Sequence, residues 1–151
     1  MKNKEYFMRK ALKEAEKALA IDEVPIGCVI VLNNKIIVRA HNVKETTNNP
    51  CGHAEILAIQ KASKKLNNWR LEECDIYVTI EPCIMCAGAL IQSRMHSVFY
   101  GSKDFKGGAF GSSINVLEAQ NINHKPIVEG GILEEECSSI ITNYFKQKRN
   151  K

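Results

Sequence analysis

Two short segments of the chain carry the side chains best suited to chemistry. In Pro82-Cys83-Ile84-Met85-Cys86 the two cysteines lie three positions apart, so on one helical turn both thiols face the same side. The other segment, His53-Ala54-Glu55, begins where a polar loop gives way to helix-favouring residues. One histidine and two cysteines would bind zinc through three protein ligands and leave the fourth position to water, as in catalytic zinc sites.

Both segments are predicted to begin a helix, and this helps the cysteines to bind a metal. The N-terminus of a helix presents free N–H groups and a partial positive charge. That charge favours the thiolate of Cys83 and Cys86 over the thiol, and the thiolate is the form that binds metal ions.

Glu55 indicates what the open position is for. It follows His53 by two residues and need not bind the metal itself. Zinc lowers the pKa of a bound water to about 7, and a neighbouring carboxylate can take the proton of that water and pass it to a leaving group. The pattern predicts hydrolytic attack on an amidine-like carbon with loss of ammonia, with Glu55 as the proton carrier.

Two other interpretations of the cysteine pair stay open at this stage. A Cys-x-x-Cys motif alone is also typical of a redox pair. The pair could also be half of a four-cysteine structural zinc site, although the chain has no second Cys-x-x-Cys. The other four cysteines are scattered singly along the chain. We expect Cys28, Cys74 and Cys137 to be small apolar core residues and Cys51 to be an exposed loop thiol.

The hydrophobic pattern predicts the elements that must position these residues. The predicted helices are 4–20, 54–65, 83–93 and 133–148, with one helical turn at 116–119, and the predicted strands are 28–32, 36–40, 76–80, 98–100 and 127–128. This order predicts an α/β fold, a three-layer α/β/α sandwich around a single mixed five-stranded sheet. The first two strands should form an antiparallel hairpin, and a strand that follows a helical crossover should pair in parallel.

Length and composition limit the class of protein. The 151 residues suit a single domain spanning 1–151, and 44% hydrophobic with 25% charged residues exclude a wholly disordered or fibrous chain. The N-terminus shows no signal-peptide pattern, and no run of about 18 apolar residues predicts a membrane span. The sequence therefore predicts a cytoplasmic protein whose six cysteines stay reduced.

The net charge of +4 is concentrated at the C-terminus. The 17 acidic residues are balanced by 17 of the 21 basic residues, and the other four are Lys146, Lys148, Arg149 and Lys151. This basic tail, residues 146–151, is typical either of a solvated end that aids solubility or of contact with a polyanion such as nucleic acid.

The motif His-Ala-Glu followed by Pro-Cys-x-x-Cys resembles the signature of the cytidine deaminase-like zinc deaminases. Within that superfamily the chain resembles the bacterial tRNA-specific adenosine deaminases over about residues 5–149. The matching stretches are 22–27, 41–42, 53–55, 69–71, 77–89, 107–109 and 123–124.

The resemblance implies a single CMP/dCMP-type zinc deaminase domain with a cytidine deaminase-like fold. It also implies a hydrolase that converts adenosine to inosine at the wobble position of a tRNA anticodon, with an arginine-type anticodon loop as the expected partner. His53, Cys83 and Cys86 would hold one zinc per subunit, and Glu55 would shuttle protons. Members of this family are homodimers in which the partner subunit completes the RNA site, so a homodimer is implied here.

The same resemblance implies residues that contact the RNA. Asn42 would hydrogen-bond the flipped base, and Asp104 would accept a hydrogen bond from a ribose 2′-OH. Each could instead serve only its own loop, and core packing or tight turns are the alternatives for several of the rest. The further expected contacts are Val24, Pro25, Ile26, Ala54, Gly107, Gly108, Ala109, Asn123, Tyr144, Phe145 and Arg149.

Cys51, Gly52 and Phe105 depart from the residues expected in this family, and none of them belongs to the ligand set. The runner-up function is a deaminase of a free base or nucleoside, of the guanine or cytosine type, on the same zinc site. A non-catalytic, zinc-stabilised RNA-binding module is a third alternative. Glu55 argues against it, because a structural site has no use for an unligated carboxylate.

Overall fold

A five-stranded sheet organises residues 1–150, the part of the chain that this computed structural model describes. The predicted elements are all present, with end points shifted by no more than two residues. The helices are α1 (Lys4–Ala20), α2 (Ala54–Leu66), α3 (Ile84–Gln92) and α4 (Glu134–Arg149), with a short 3-10 turn at Val116–Glu118. The strands are β1 (Gly27–Leu32), β2 (Lys35–His41), β3 (Asp75–Ile80), β4 (Ser97–Ser102) and β5 (Ile127–Glu129).

The strands lie in the order β2-β1-β3-β4-β5. β1 and β2 form the predicted antiparallel hairpin, closed by Asn33 and Asn34 in the left-handed conformation (φ 51° and 61°) that a tight hairpin turn favours. β4 pairs in parallel with both β3 and β5. The sheet is therefore mixed, as the sequence predicts.

One pairing differs from the prediction. We expected β3, which follows the α2 crossover, to pair in parallel, but its neighbour is β1 and the pairing is antiparallel. The crossover carries the chain from β2 over β1 to the opposite side of β1. β3 therefore runs in the same direction as β2, as a helical crossover requires, without being hydrogen-bonded to it.

Helices cover both faces of the sheet, because alternate side chains along each strand point to opposite faces. α1 and α4 pack on one face, where the buried cluster includes Phe7, Met8, Ala11, Val29, Tyr77, Phe99 and Cys137. α2 and α3 pack on the other, where the cluster includes Cys28, Ile30, Ala58, Ala62, Ile76, Val78, Ala87 and Leu90. The three-layer sandwich is confirmed.

The cysteines outside the motif lie where the sequence places them. Cys28, Cys74 and Cys137 are buried, and Cys51 is exposed on the loop after β2. Within the described residues none of the four joins a metal-binding cluster, which argues against a four-cysteine structural site. No helix in residues 1–150 has the length and hydropathy needed to span a bilayer.

The architecture places two helix N-termini beside one strand end. β3 ends at Ile80 and α3 begins at Ile84, so only three residues join them. α2 begins directly after His53 and packs against α3 on the same face. Ligand sites in α/β folds lie beyond the carboxyl ends of strands, and both segments of the motif meet there.

Candidate active site

His53, Cys83 and Cys86 converge at the start of the two helices. His53 Nδ1 lies 3.5 Å from the Sγ atoms of both Cys83 and Cys86, and the three donor atoms lie within 4.8 Å of one another. His53 is the N-cap of α2, Cys83 is the N-cap of α3, and Cys86 belongs to the first turn of α3. The structure therefore brings the three predicted ligands together.

The donor set fits a zinc ion. Zn–N bonds of about 2.0 Å and Zn–S bonds of about 2.3 Å at tetrahedral angles place nitrogen and sulfur about 3.5 Å apart. The two N···S separations in this group are 3.5 Å. No fourth histidine, cysteine or acidic residue joins the group within residues 1–150, so the set suits a catalytic site rather than a closed structural one.

Hydrogen bonds among the three side chains change the pKa of each one. A hydrogen bond with Cys86 lowers the pKa of the Cys83 thiol to about 4, against the opposing effect of burial. The same hydrogen bond raises the pKa of Cys86, and a hydrogen bond with Cys83 raises the pKa of His53. One thiolate therefore lies at the N-terminus of α3 at neutral pH, and a divalent cation can replace the shared protons.

Glu55 is a buried carboxyl group beside these donors. It lies in the first turn of α2, with 3% of its surface exposed. Burial raises its pKa from the ordinary 4.5 to about 7, and the negative charge on Cys83 adds to the increase. A group with a pKa near 7 can both accept and donate a proton at neutral pH, which is the property required of a general acid–base catalyst.

Asn42 starts the loop that leads to His53, and its side chain is hydrogen-bonded to the backbone. The amide nitrogen donates to the Val24 carbonyl (3.2 Å), and the amide oxygen accepts from the Lys44 N–H (3.2 Å). Pro25 is buried, and Val24 and Ile26 are half-buried, on the segment that enters β1. The structure thus joins Asn42 to the segment predicted to form a wall of the base pocket.

The loop after β4 turns around Asp104. Its carboxylate accepts hydrogen bonds from the N–H groups of Lys106 and Gly107, both at 3.1 Å. Phe105 projects from this turn and is 75% exposed. Asp104 therefore stabilises its own loop, as one of the two interpretations of this residue predicts.

Three of the small residues in the predicted contact set are packed inside the chain. A Cβ atom on Gly108 would lie 2.4 Å from the carboxyl carbon of Glu81, whereas Gly107 has room for one. Ala54 and Ala109 have no exposed surface. Gly108 is therefore required by packing against Glu81, and the side chains of the two alanines belong to the core.

The C-terminal helix brings aromatic and basic side chains to the surface. Tyr144 and Phe145 meet edge to face with ring centroids 5.3 Å apart, and Phe145 is 45% exposed. The Tyr144 hydroxyl donates to the Asp22 carbonyl (3.3 Å), and Lys148 pairs with the Asp22 carboxylate at 2.6 Å. The basic tail is thus mostly the last turn of α4, and one of its charges is engaged within the chain.

The other predicted contacts on this part of the chain are exposed. Asn123 lies on the loop before β5, and Arg149 is the last residue of α4. Within residues 1–150 neither side chain forms an ion pair or a hydrogen bond, so both can contact a ligand.

Sequence reasoning missed two buried carboxylates next to the site, Glu23 and Glu81. Each is 1% exposed and accepts hydrogen bonds from backbone N–H groups of a neighbouring loop. Within residues 1–150 neither forms an ion pair, and no characteristic spacing identifies either one in the sequence. The position of Glu81 directly before Pro82 and Cys83 is the one signal that could have pointed to it.

Comparison with known proteins identifies the family. The sequence model of the MafB19-like deaminase family matches residues 2–149. The chain belongs to this deaminase family. It is 47% identical over 151 residues to a tRNA-specific adenosine deaminase from Bacillus subtilis (strain 168), covering 100% of this chain and 94% of that protein. It is 44% identical over 147 residues to a tRNA-specific adenosine deaminase from Aquifex aeolicus, covering 97% of each.

Solved structures agree with this assignment. One, from a study of A-to-I editing by tRNA:A34 deaminases, has a TM-score of 0.87 and 41% identity over 89% of this chain and 98% of that chain. A guanine deaminase from Bacillus subtilis has a TM-score of 0.65 and 30% identity over 79% of this deaminase and 87% of that chain. The cytidine deaminase-like fold and the deaminase class predicted from the motif are confirmed.

We expect one zinc ion per chain of this deaminase, measured by elemental analysis of purified protein. Cys83→Ser and Cys86→Ser each remove a thiolate ligand and should lower zinc affinity by about tenfold or more. Cys51→Ser is the matched control, because Cys51 is exposed and lies outside the donor group. A metal-free protein with a reducible Cys83–Cys86 disulfide would instead support the redox interpretation.

Proposed function

We propose that this deaminase is a zinc-dependent hydrolase that converts adenosine to inosine at the wobble position of a tRNA anticodon. The observation that carries the proposal is the buried Glu55 carboxyl beside the donor group of His53, Cys83 and Cys86. This arrangement joins a proton carrier to a metal-binding group with an open position. Relatives at 44% and 47% identity are named tRNA-specific adenosine deaminases, which supports adenosine in tRNA as the substrate.

The reaction adds water to C6 of adenine and releases ammonia, so protons must be moved between the water and the amino group. Bound zinc would supply a water of lowered pKa at the fourth position. Glu55 accepts a proton from the attacking water and delivers it to the departing amino group. Its pKa of about 7 suits both transfers at neutral pH, because neither protonation state is strongly favoured.

An RNA substrate is favoured over a free base by the end of α4. Lys146 and Arg149 are exposed, and neither forms an ion pair among the described residues. They lie beside the exposed ring of Phe145. Cations next to an aromatic surface suit a single-stranded loop, whose bases stack and whose phosphates are negative. A free base needs neither feature.

The remaining RNA contacts are part of the same proposal. Asn42 and the Val24-Pro25-Ile26 segment would contact the flipped base, and Asp104 a neighbouring ribose. The hydrogen bonds that join Asn42 to Val24 support a common wall for the base. The other contacts proposed are Ala54, Gly107, Gly108, Ala109, Asn123, Tyr144, Phe145 and Arg149.

The second candidate is a deaminase of a free base or nucleoside. The guanine deaminase from Bacillus subtilis, at 30% identity, supports this alternative. The lower identity, compared with 41% for the structure from the tRNA:A34 deaminase study, places it second.

A homodimer is proposed because α3 has an apolar outer surface. Ile84 is 63% exposed, and a Cβ on Gly88 would meet nothing within 4 Å. A small residue on an exposed helix face lets another helix approach closely. We propose a cytoplasmic enzyme with one zinc per subunit, since a reducing compartment keeps cysteines free of disulfides and able to bind zinc.

The decisive substrate experiment is incubation of the zinc-loaded protein with an arginine-type anticodon stem-loop that has adenosine at the wobble position. We expect inosine in the digested RNA by mass spectrometry, and no product from free adenosine, guanine or cytidine under the same conditions. A stem-loop with guanosine at that position is the matched RNA control. Turnover of a free base without turnover of the stem-loop would establish the second candidate instead.

Removing the unpaired charges of α4 should weaken RNA binding. We expect Lys146→Gln with Arg149→Gln to lower affinity for the stem-loop and to reduce the slope of log K against log salt by about 1.4, because each of the two lost phosphate contacts releases about 0.7 counterions. Lys148→Gln is the matched control. It should have a smaller effect, because Lys148 is already paired with Asp22 at 2.6 Å. An unchanged slope in the double variant would contradict RNA contact by the basic tail and would support a role in solubility instead.

A further inference from the structure

Two buried glutamates hold the loops beside the site without the help of a cation. Glu23 and Glu81 are each 1% exposed, and neither forms an ion pair within residues 1–150. A buried carboxylate usually requires a cation, a metal ion or several hydrogen bonds to offset the loss of solvation. Here hydrogen bonds from backbone N–H groups fill that role, helped at Glu23 by the Thr46 side chain, so the two carboxylates hold the main chain of these loops in place.

Glu23 fixes the loop between β2 and α2. Its carboxylate accepts hydrogen bonds from the N–H groups of Glu45 (3.1 Å) and Thr46. Burial acts to raise the pKa of this carboxyl, but the hydrogen bonds outweigh it and leave the pKa below 4.5, so Glu23 stays ionised. The next residue, Val24, accepts a hydrogen bond from Asn42. Glu23 and Val24 together therefore hold the first half of the loop that ends at His53.

Glu81 fixes the loop after β4 and directly precedes Pro82 and the ligand Cys83. Oε1 accepts from the Asp104 N–H (3.2 Å), and Oε2 accepts from the N–H groups of Phe110 (3.0 Å) and Ser112 (3.2 Å). The Ala109 N–H donates to the Pro82 carbonyl at 2.9 Å. This loop is therefore attached to the segment that carries a metal ligand.

We propose that Glu23 and Glu81 are positioning residues for the RNA, each holding one loop in the conformation that the RNA meets. The inference rests on the proposed function. The first loop carries Asn42 and Lys44, and the second carries Asp104. A loop that must become ordered on binding weakens affinity by its lost entropy. The two carboxylates impose that order before the RNA arrives, and they take no part in the proton transfers at Glu55.

The test is the KM and kcat for inosine formation on the anticodon stem-loop in Glu23→Gln and Glu81→Gln. Glutamine keeps the size of the side chain but turns an NH2 group toward a backbone N–H. We expect KM to rise about tenfold, the order expected for lost charge-assisted hydrogen bonds in a preorganised loop. The kcat should stay within about twofold and the zinc content should be unchanged, because Glu55 and the donor group keep their contacts.

Glu14→Gln is the matched control. Glu14 is also buried, at 3% exposure, but its carboxylate pairs with Lys17 (2.7 Å) and faces His41 (3.7 Å). We expect this variant to change thermal stability and to leave KM unchanged. Gly108→Ala is a second route to the Glu81 loop, because its Cβ would lie 2.4 Å from the Glu81 carboxyl carbon. It leaves the Glu81 side chain unchanged and should raise KM by displacing the same loop, even if Glu81→Gln does not fold.

Amide hydrogen exchange gives a readout that does not depend on turnover. Exchange should accelerate at Glu45 and Thr46 in Glu23→Gln, and at Asp104, Phe110 and Ser112 in Glu81→Gln. Unchanged KM in folded variants with accelerated exchange would overturn the inference, and so would an equal fall in kcat. Lack of stem-loop turnover by the wild-type protein would be a failure of the proposed function itself, visible before any variant is compared.

Discussion

Two helix N-termini that meet at the carboxyl end of β3 are the constraint on which the site depends. α2 begins after His53 and α3 begins after Cys83, and both lie on the same face of the sheet. Their N-caps and first turns carry the groups that we propose for metal binding and proton transfer. Because the partial positive charge of each N-terminus favours anionic ligands, the backbone itself helps to hold a thiolate there. The three-residue connection from β3 to α3 leaves little freedom in this placement.

Burial of Glu55 places beside the donor group a carboxyl group suited to the proton transfers proposed for it. Raising its pKa from 4.5 to about 7 corresponds to about 3 kcal/mol against the ionised form. In the metal-free chain the raised pKa of Glu55 lowers the free energy of unfolding as the pH rises from 4.5 through about 7. The reason is that the folded state binds this proton more tightly than the unfolded state does. Burial of Glu55 therefore lowers the stability of the metal-free fold and gives the site a carboxyl group that exchanges protons at neutral pH. A bound divalent cation would offset part of that loss by stabilising the ionised form.

The sequence was informative wherever residue type and spacing alone decide the outcome. Hydrophobic periodicity located the helices and strands, and the chemistry of metal ligands predicted the group of His53, Cys83 and Cys86 that the structure brings together. The antiparallel neighbour of β3 was not predictable, because a crossover helix sets the direction of the next strand but not the edge at which it joins. Glu23 and Glu81 were missed for a different reason. Their partners include backbone N–H groups in loops 22 to 31 residues away. Almost every residue has a backbone N–H group, so the sequence does not show which of them will donate to these carboxylates.

The central claim is that Glu55 moves the protons while His53, Cys83 and Cys86 hold the metal. It is tested most directly by Glu55→Gln, with the rate of inosine formation at saturating stem-loop and the zinc content measured on the same samples. The account predicts one zinc per chain in both proteins and a rate reduced by about 10²- to 10⁴-fold in the variant. A variant that keeps its zinc and turns over at a rate near that of the wild type would contradict it.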